Sequence, residues 1–295
     1  MNPVVFTFDI EEHHRIEAAA GYDCPADRKH DYAARMERCT RWIADALAAA
    51  NANATFFIVG QIAESHPKLV RDLADAGHEI ASHSWDHRRV HLHTPDTFRE
   101  DLRRSKAALE QAGGREVVGY RAPTFSITQA TAWAVDVLAE AGFKYDSSIF
   151  PVKHDRYGVP DAPRHPFVVR GPHKSILEIP PVTWRKFGQN VPAAGGGYFR
   201  LFPPAIMRAA IRQTLRDPTG LPVLYFHPWE FDPDQPKLPL GRLSRFRTYV
   251  GIGKSRRRLQ NLLARYGSVT LTSALPPDLE KLPTFDLATK GNLTP

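Results

Sequence analysis

The sequence has only two cysteines, Cys24 and Cys39. Their spacing matches no CxxC pair, zinc knuckle or disulfide framework, so the fold must hold without covalent staples and free thiols in a reducing compartment are expected. No stretch approaches the roughly 18 to 20 consecutive apolar residues of a membrane-spanning helix. The N-terminal segment MNPVVFTFDIEEHH has a short apolar run that meets acids almost at once. It lacks the basic start and long apolar centre of a secretory leader, and a cytoplasmic protein is expected. No low-complexity run interrupts the chain before a Pro-rich tail near residue 276.

What is present is 295 residues with a modest basic excess, +7 at pH 7. That length accommodates one large α/β domain or two small ones, with a substantial core. The excess is spread along the chain and reads as a solvated surface, so no nucleic-acid partner is expected. The run Lys254, Arg256, Arg257 and Arg258 lies on an amphipathic pattern with Leu259, Leu262 and Leu263. A solvated helix face is the first reading of it, and docking to an acidic membrane surface the second. Nothing in the pattern fixes an oligomeric state.

Short apolar, β-branched and aromatic segments predict buried strands at 4–8, 54–59, 78–82, 117–120 and 222–227. Helical spacing alternates with them at 31–50, 66–76, 94–112 and 128–141. Pro67 and Pro95 open helices, Thr94 can cap one, and Gly77, Gly113 and Gly142 follow helix ends. The alternation argues for a parallel sheet with helices outside, open or closed into a barrel. Residues 150–204, rich in Pro and Gly, predict loops with short strands. The tail from about 276 predicts an extended or disordered arm.

Polar residues cluster where these strands end. Asp9 and Glu11 follow the first, His83 and His87 the third, Arg121 the fourth, and His227 a late one. In a parallel barrel such ends share one rim, where active sites assemble. His83 and His87, four apart in HSWDH, would sit one helical turn from each other and reach one cation. Asp9, Glu11 and Glu12 would repel one another without a compensating cation or arginine, and Arg121 is a candidate for that role.

Taken together, TFDIEE, HSWDH, RAP at 121–123 and the strand ending in His227 resemble the polysaccharide-deacetylase family, also called the NodB-homology or carbohydrate esterase family 4 fold. YDSSIFP (145–151), GGGYFRLFP (195–203), FHPWEFDPDQP (226–236) and the segment FRTYVGIGKSRRRLQNLLARYG look most like a bacterial subgroup found with exopolysaccharide and exosortase systems. The resemblance implies a distorted (β/α) barrel with a C-terminal extension. It implies one catalytic domain over 1–275, with a core at about 4–235, a subgroup-specific segment at about 236–275, and the tail 276–295.

It also implies a metal-dependent hydrolase that removes N-acetyl groups from amino sugars of a polysaccharide or its lipid-linked precursor. The family's first motif carries two adjacent aspartates, and here residue 10 is Ile. The metal carboxylate must then be Glu11 or Glu12. If the segment stays extended, Asp9 and Glu11 point to one side, which selects Glu11. The implied ligands are Glu11, His83 and His87 around a divalent cation, Zn²⁺ by preference for this donor set. Asp9 is the implied base, Arg121 its orienting partner, the N–H of Thr124 the oxyanion donor, and His227 the acid, oriented by Asp146. Tyr198, Phe199 and Trp229 are candidates for stacking on a sugar. The competing readings are a small-amide or ureide hydrolase on the same fold, and a glycan-binding protein with a degenerate site.

Overall fold

In the computed structural model, residues 3–275, 278–289 and 293–294 are described. The first strand, β1 (Val5–Ile10), is buried along its whole length, as its uninterrupted VFTFDI run requires. Four more strands follow in parallel, separated by helices: β2 (Thr55–Ile58), β3 (Glu79–Ser82), β4 (Gly119–Tyr120) and β5 (Tyr145–Asp146). The intervening helices are Ala26–Ala49, Gly60–Ser65 with Pro67–Asp75, Pro95–Gly113 and Trp133–Glu140.

Local chemistry sets their ends. Thr94 and Thr97 form a reciprocal capping box at the start of Pro95–Gly113, with Pro95 in the first turn. That helix runs through Gly113, and Gly114 takes the left-handed cap at φ 69°. Gly113 is the last helical residue rather than the stop expected of it, because the left-handed conformation that favours glycine falls one residue later, at Gly114.

Residues 150–204 form β6 (Phe167–Arg170), β7 (Ser175–Glu178), the hairpin β8 (Thr183–Lys186) and β9 (Gln189–Pro192), and the helix Gly196–Leu201. The helix Pro204–Thr214 leads to β10 (Val223–Phe226), which pairs parallel with β1. The resulting sheet has the order β10-β1-β2-β3-β4-β5-β7-β6-β11-β12, with β11 (Thr284–Asp286) and β12 (Leu293–Thr294) at its far end. The part of the tail after Asp278 is therefore no free arm. Phe285 and Leu287 are buried, and β11 pairs parallel with β6. Pro276 and Pro277 lie outside the described residues.

The fold is α/β with a mostly parallel sheet. Among the described residues no ladder joins β10 to the β11–β12 end of the sheet. The free edge of β10 is covered instead. Val182 donates to Val223, and Tyr225 donates to Ala194. Gly195 sits so close to this edge that a Cβ there would meet the Tyr225 carbonyl oxygen at 1.6 Å. This close approach explains why the 195–197 segment begins with a glycine.

Because β10 and β1 to β5 all run parallel, their C-terminal ends deliver side chains to one rim. That rim opens into a cleft of about 600 Å³.

Candidate active site

At the floor of the cleft Asp9, near the end of β1, meets Arg121 just after β4. Arg121 Nη1 lies 2.7 Å from Asp9 Oδ1 and is wholly buried. Each of its three nitrogens is bonded. Nη1 donates to Thr7 Oγ1 at 2.7 Å, Nη2 to Ser147 Oγ at 2.9 Å, and Nε to the Ser147 carbonyl at 3.1 Å. The guanidinium stacks over Phe57 at 4.1 Å. Held by these four bonds, the guanidinium fixes the Asp9 carboxylate in one orientation.

Glu11, His83 and His87 stand beside Asp9. One donor atom from each lies within 4.8 Å of the others, and His87 Nε2 is 2.5 Å from Glu11 Oε2. His83 Nδ1 is 2.8 Å from the Arg121 carbonyl oxygen. A carbonyl only accepts, so Nδ1 carries the proton and Nε2 keeps its lone pair for a ligand. Burial lowers His83 to about 4, outweighing the raising charges of Asp9 and Glu11, so the imidazole is neutral at ordinary pH. Burial alone would raise Glu11. The charge and hydrogen bond of His87, with the charges of His227 and His83, outweigh it and hold the carboxyl below its usual range. Two imidazoles and one carboxylate converging on one point are a donor set that fits a divalent cation. Glu12 turns away to Arg15, 2.5 Å distant.

The HSWDH segment is a loop, not the helical turn that its spacing suggested. Ser84 and His87 are left-handed, at φ 64° and 66°. The Trp85 N–H donates to both oxygens of Asp101 at 3.1 and 3.0 Å, and Ser84 Oγ accepts the His87 N–H at 2.9 Å. Across the cleft Thr124 and Phe125 are also left-handed, at φ 57° and 51°. Four of the six non-glycine residues with positive φ among the described residues thus belong to these two loops, where strain is held by the surrounding bonds.

His227 ends β10, and its Nε2 lies 3.9 Å from Asp9 Oδ2 and 3.8 Å from Glu11 Oε1. Its partner is Glu230, not Asp146. Nδ1 is 2.9 Å from Glu230 Oε1, which also accepts the His227 backbone N–H at 3.1 Å. Arg200 Nε bonds the other Glu230 oxygen at 2.8 Å. Burial would lower the His227 pKa. The Glu230 hydrogen bond, with the charges of Glu11, Glu230 and Asp9, pushes it up to about 9 instead.

Asp146 faces away from His227. It accepts from Ser148 Oγ at 2.5 Å and is the register partner of Glu178 on β7. Burial and the adjacent Asp146 charge raise Glu178 well above the usual carboxylate range. The pair therefore shares a proton beneath the site, since two like charges this deep cannot both ionise.

The three aromatic candidates separate. Tyr198 lines the cleft half-buried. Phe199, next along the helix Gly196–Leu201, turns about 100° away and packs edge-on to Phe226 at 4.8 Å, in the core. Trp229 lines the cleft but is only 9% exposed. It stacks on His227 with ring centroids 5.3 Å apart, and its Nε1 donates to Glu11 Oε1 at 3.3 Å. Those contacts fix the Trp229 ring against His227 and Glu11.

A family model described as polysaccharide deacetylase matches residues 4–145. One described as a domain of unknown function, DUF3473, matches 147–275. The peptidoglycan-N-acetylglucosamine deacetylase of Listeria monocytogenes is 35% identical over 75 residues, which are 25% of this chain and 16% of that protein. The chitooligosaccharide deacetylase of Rhizobium leguminosarum bv. trifolii is 30% identical over 103 residues, 35% of this chain and 45% of that one. The chain thus spans less than half the length of either curated relative. A crystal structure from Mycobacterium smegmatis, provisionally named a polysaccharide deacetylase, superposes with a TM-score of 0.54 at 25% identity, covering 94% of both chains. The junction between the two matched segments falls inside β5, and both segments line the cleft. Asp9, Glu11, His83, His87 and Thr124 come from the first, and Tyr198, Arg200, His227 and Trp229 from the second.

Proposed function

The chain belongs to the polysaccharide-deacetylase family, and we propose that it is a metal-dependent hydrolase removing N-acetyl groups from amino sugars. The observation that carries this reading is that a buried carboxylate oriented by arginine and a histidine oriented by glutamate meet beside the Glu11, His83 and His87 triad. Their separation from each other is 3.9 Å. An amide needs both an activated nucleophile and a protonated leaving group, and this pair can supply both.

A divalent cation held by Glu11, His83 and His87, Zn²⁺ by the chemistry of the set, would polarise the carbonyl and make a bound water more acidic. Asp9, oriented by Arg121, takes the proton of the attacking water. The backbone N–H of Thr124, presented by its left-handed turn, faces the developing oxyanion. His227 delivers a proton to the departing nitrogen, and Glu230 keeps that imidazole charged and aimed.

The size of the cleft favours a glycan over a small amide, since about 600 Å³ exceeds what a ureide ring would fill. The likeness of residues 145–151, 195–203 and 226–236 to deacetylases of exopolysaccharide systems supports a polysaccharide or its lipid-linked precursor as substrate. Unpaired buried Cys24 and Cys39 fit action in the cytoplasm. No helix among the described residues is long and apolar enough to cross a membrane.

A substrate panel tests the reading. Metal-loaded protein should release acetate from N-acetylglucosamine oligosaccharides and leave cyclic ureides and formamides intact. Turnover of the small amides with none of the glycans would assign the site to amidase chemistry of another kind.

A further inference from the structure

Outside the cleft, charge is most one-sided between Asp234 and Asp278. Residues 235–277 hold nine lysines and arginines and not one Asp or Glu. Several helix-surface arginines elsewhere pair with carboxylates: Arg41 with Glu37 and Asp72, Arg99 with Asp96 and Glu140, and Arg103 with Glu100. Among the described residues, Arg242, Arg245 and Arg247 on the helix Arg242–Tyr249 make no ion pair.

The same short helix leaves large apolar side chains in water. Leu243 is 62% exposed and Phe246 54%. Three residues apart, they share one face. Leu201, 45% exposed, ends the neighbouring helix and lines the cleft beside Ser244 and Arg247. Scattered exposed leucines are ordinary. Here apolar side chains interleave with unpaired arginines at the mouth of a single cleft.

We propose that the helix Arg242–Tyr249, with Leu201, is a docking face for an anionic lipid bilayer, which seats the mouth of the cleft at the membrane surface. The charge is complementary, and the apolar side chains fix the choice of occupant. An interfacial helix places Leu and Phe at the acyl boundary while its arginines meet lipid phosphates. A soluble polyanion would engage the arginines and leave Leu243 and Phe246 hydrated. The proposal stands on surface residues and does not depend on the hydrolase reading.

The test is co-sedimentation of the full chain with vesicles of phosphatidylcholine alone, or of phosphatidylcholine with phosphatidylglycerol, at low and high salt. Turnover is not measured, so the outcome is separable from that of any deacetylase assay. Binding is expected to the mixed vesicles only and to weaken with salt. Each basic residue near an anionic surface is worth about fivefold in partitioning, so R242Q/R245Q should bind about 25-fold more weakly. L243S/F246S should also lose binding at unchanged helix content by circular dichroism. Absence of binding by the wild type would overturn the proposal. So would loss in R242Q/R245Q with none in L243S/F246S, which would mark the face as a site for a soluble polyanion. Concentration-dependent dimerisation abolished by L243S/F246S, without vesicle binding, would assign the face to a second copy of the chain.

Discussion

Glu230 holds His227 by two hydrogen bonds at once, one to the ring at 2.9 Å and one to the backbone N–H at 3.1 Å. The second bond fixes the carboxylate relative to the chain, so the ring is aimed as well as charged. E230Q keeps the shape and removes the charge. We expect kcat to fall at neutral pH with KM little changed. The alkaline limb of the kcat/KM profile should move to lower pH, because the pKa of about 9 rests first on the Glu230 hydrogen bond. D146N should leave that limb in place. A shift in D146N and none in E230Q, read from the two profiles, would restore Asp146 as the partner.

Part of this arrangement was readable from the sequence. Strand-end acids and histidines on successive parallel strands had to share a rim, and the Asp9–Arg121 pair follows from that. Extending the alternation of β1 one residue past its end put Asp9 and Glu11 on one side, and Glu12 turns to Arg15. His227 and Glu230 carried a local signal too. In HPWE, proline opens a 3₁₀ turn and the glutamate three residues after His227 closes a capping box. What could not be read was burial from opposite sides. Asp146 ends β5 of the same sheet, but its side chain meets Ser148 and Glu178, and only the register of β5 with β7 reveals this. The loop form of 83–87 was equally hidden, since it depends on Asp101, fourteen residues beyond His87, accepting the Trp85 N–H.

The two acids of the first strand should separate by assay. D9N should retain bound cation and lose most turnover. It should also be less stable, because Arg121 is left as a buried unpaired charge, a defect typically worth about 3–5 kcal/mol. E11Q should weaken metal binding far more than E12Q. Elemental analysis of the three proteins decides, and equal metal content in E11Q and wild type would remove Glu11 from the ligand set.

Glu178 makes a prediction in stability alone. Its folded pKa is raised by burial and by the Asp146 charge. Folding therefore takes up a proton, and stability is greatest below the unfolded carboxyl pKa of about 4.3. It is lost as pH rises from there through the folded value. E178Q mimics the protonated acid and escapes this loss. Thermal melts should show E178Q close to wild type near pH 4.5 and progressively more stable than wild type toward pH 8. A variant less stable at pH 8 would mean that Glu178 is ionised in the fold.

Tyr198 and Phe199 are neighbours with different duties. Y198A should raise KM for an oligosaccharide with little effect on stability, since the ring lines the cleft. F199A should cost about 3–5 kcal/mol of stability, as truncation of a buried phenylalanine does, with the residual folded protein keeping its KM. Chemical denaturation and steady-state kinetics on both variants check this.

The central claim is that the Glu11, His83 and His87 triad holds the cation on which amide hydrolysis depends. The direct measurement is acetate release from an N-acetylglucosamine oligosaccharide by chelator-stripped protein titrated with Zn²⁺, with occupancy followed by elemental analysis. The account predicts no release from stripped protein, a rate that rises in proportion to occupancy and saturates at one ion per chain, and neither binding nor rescue in H83A. Release from the stripped chain at the rate of the loaded one, or full activity in H83A, would contradict it.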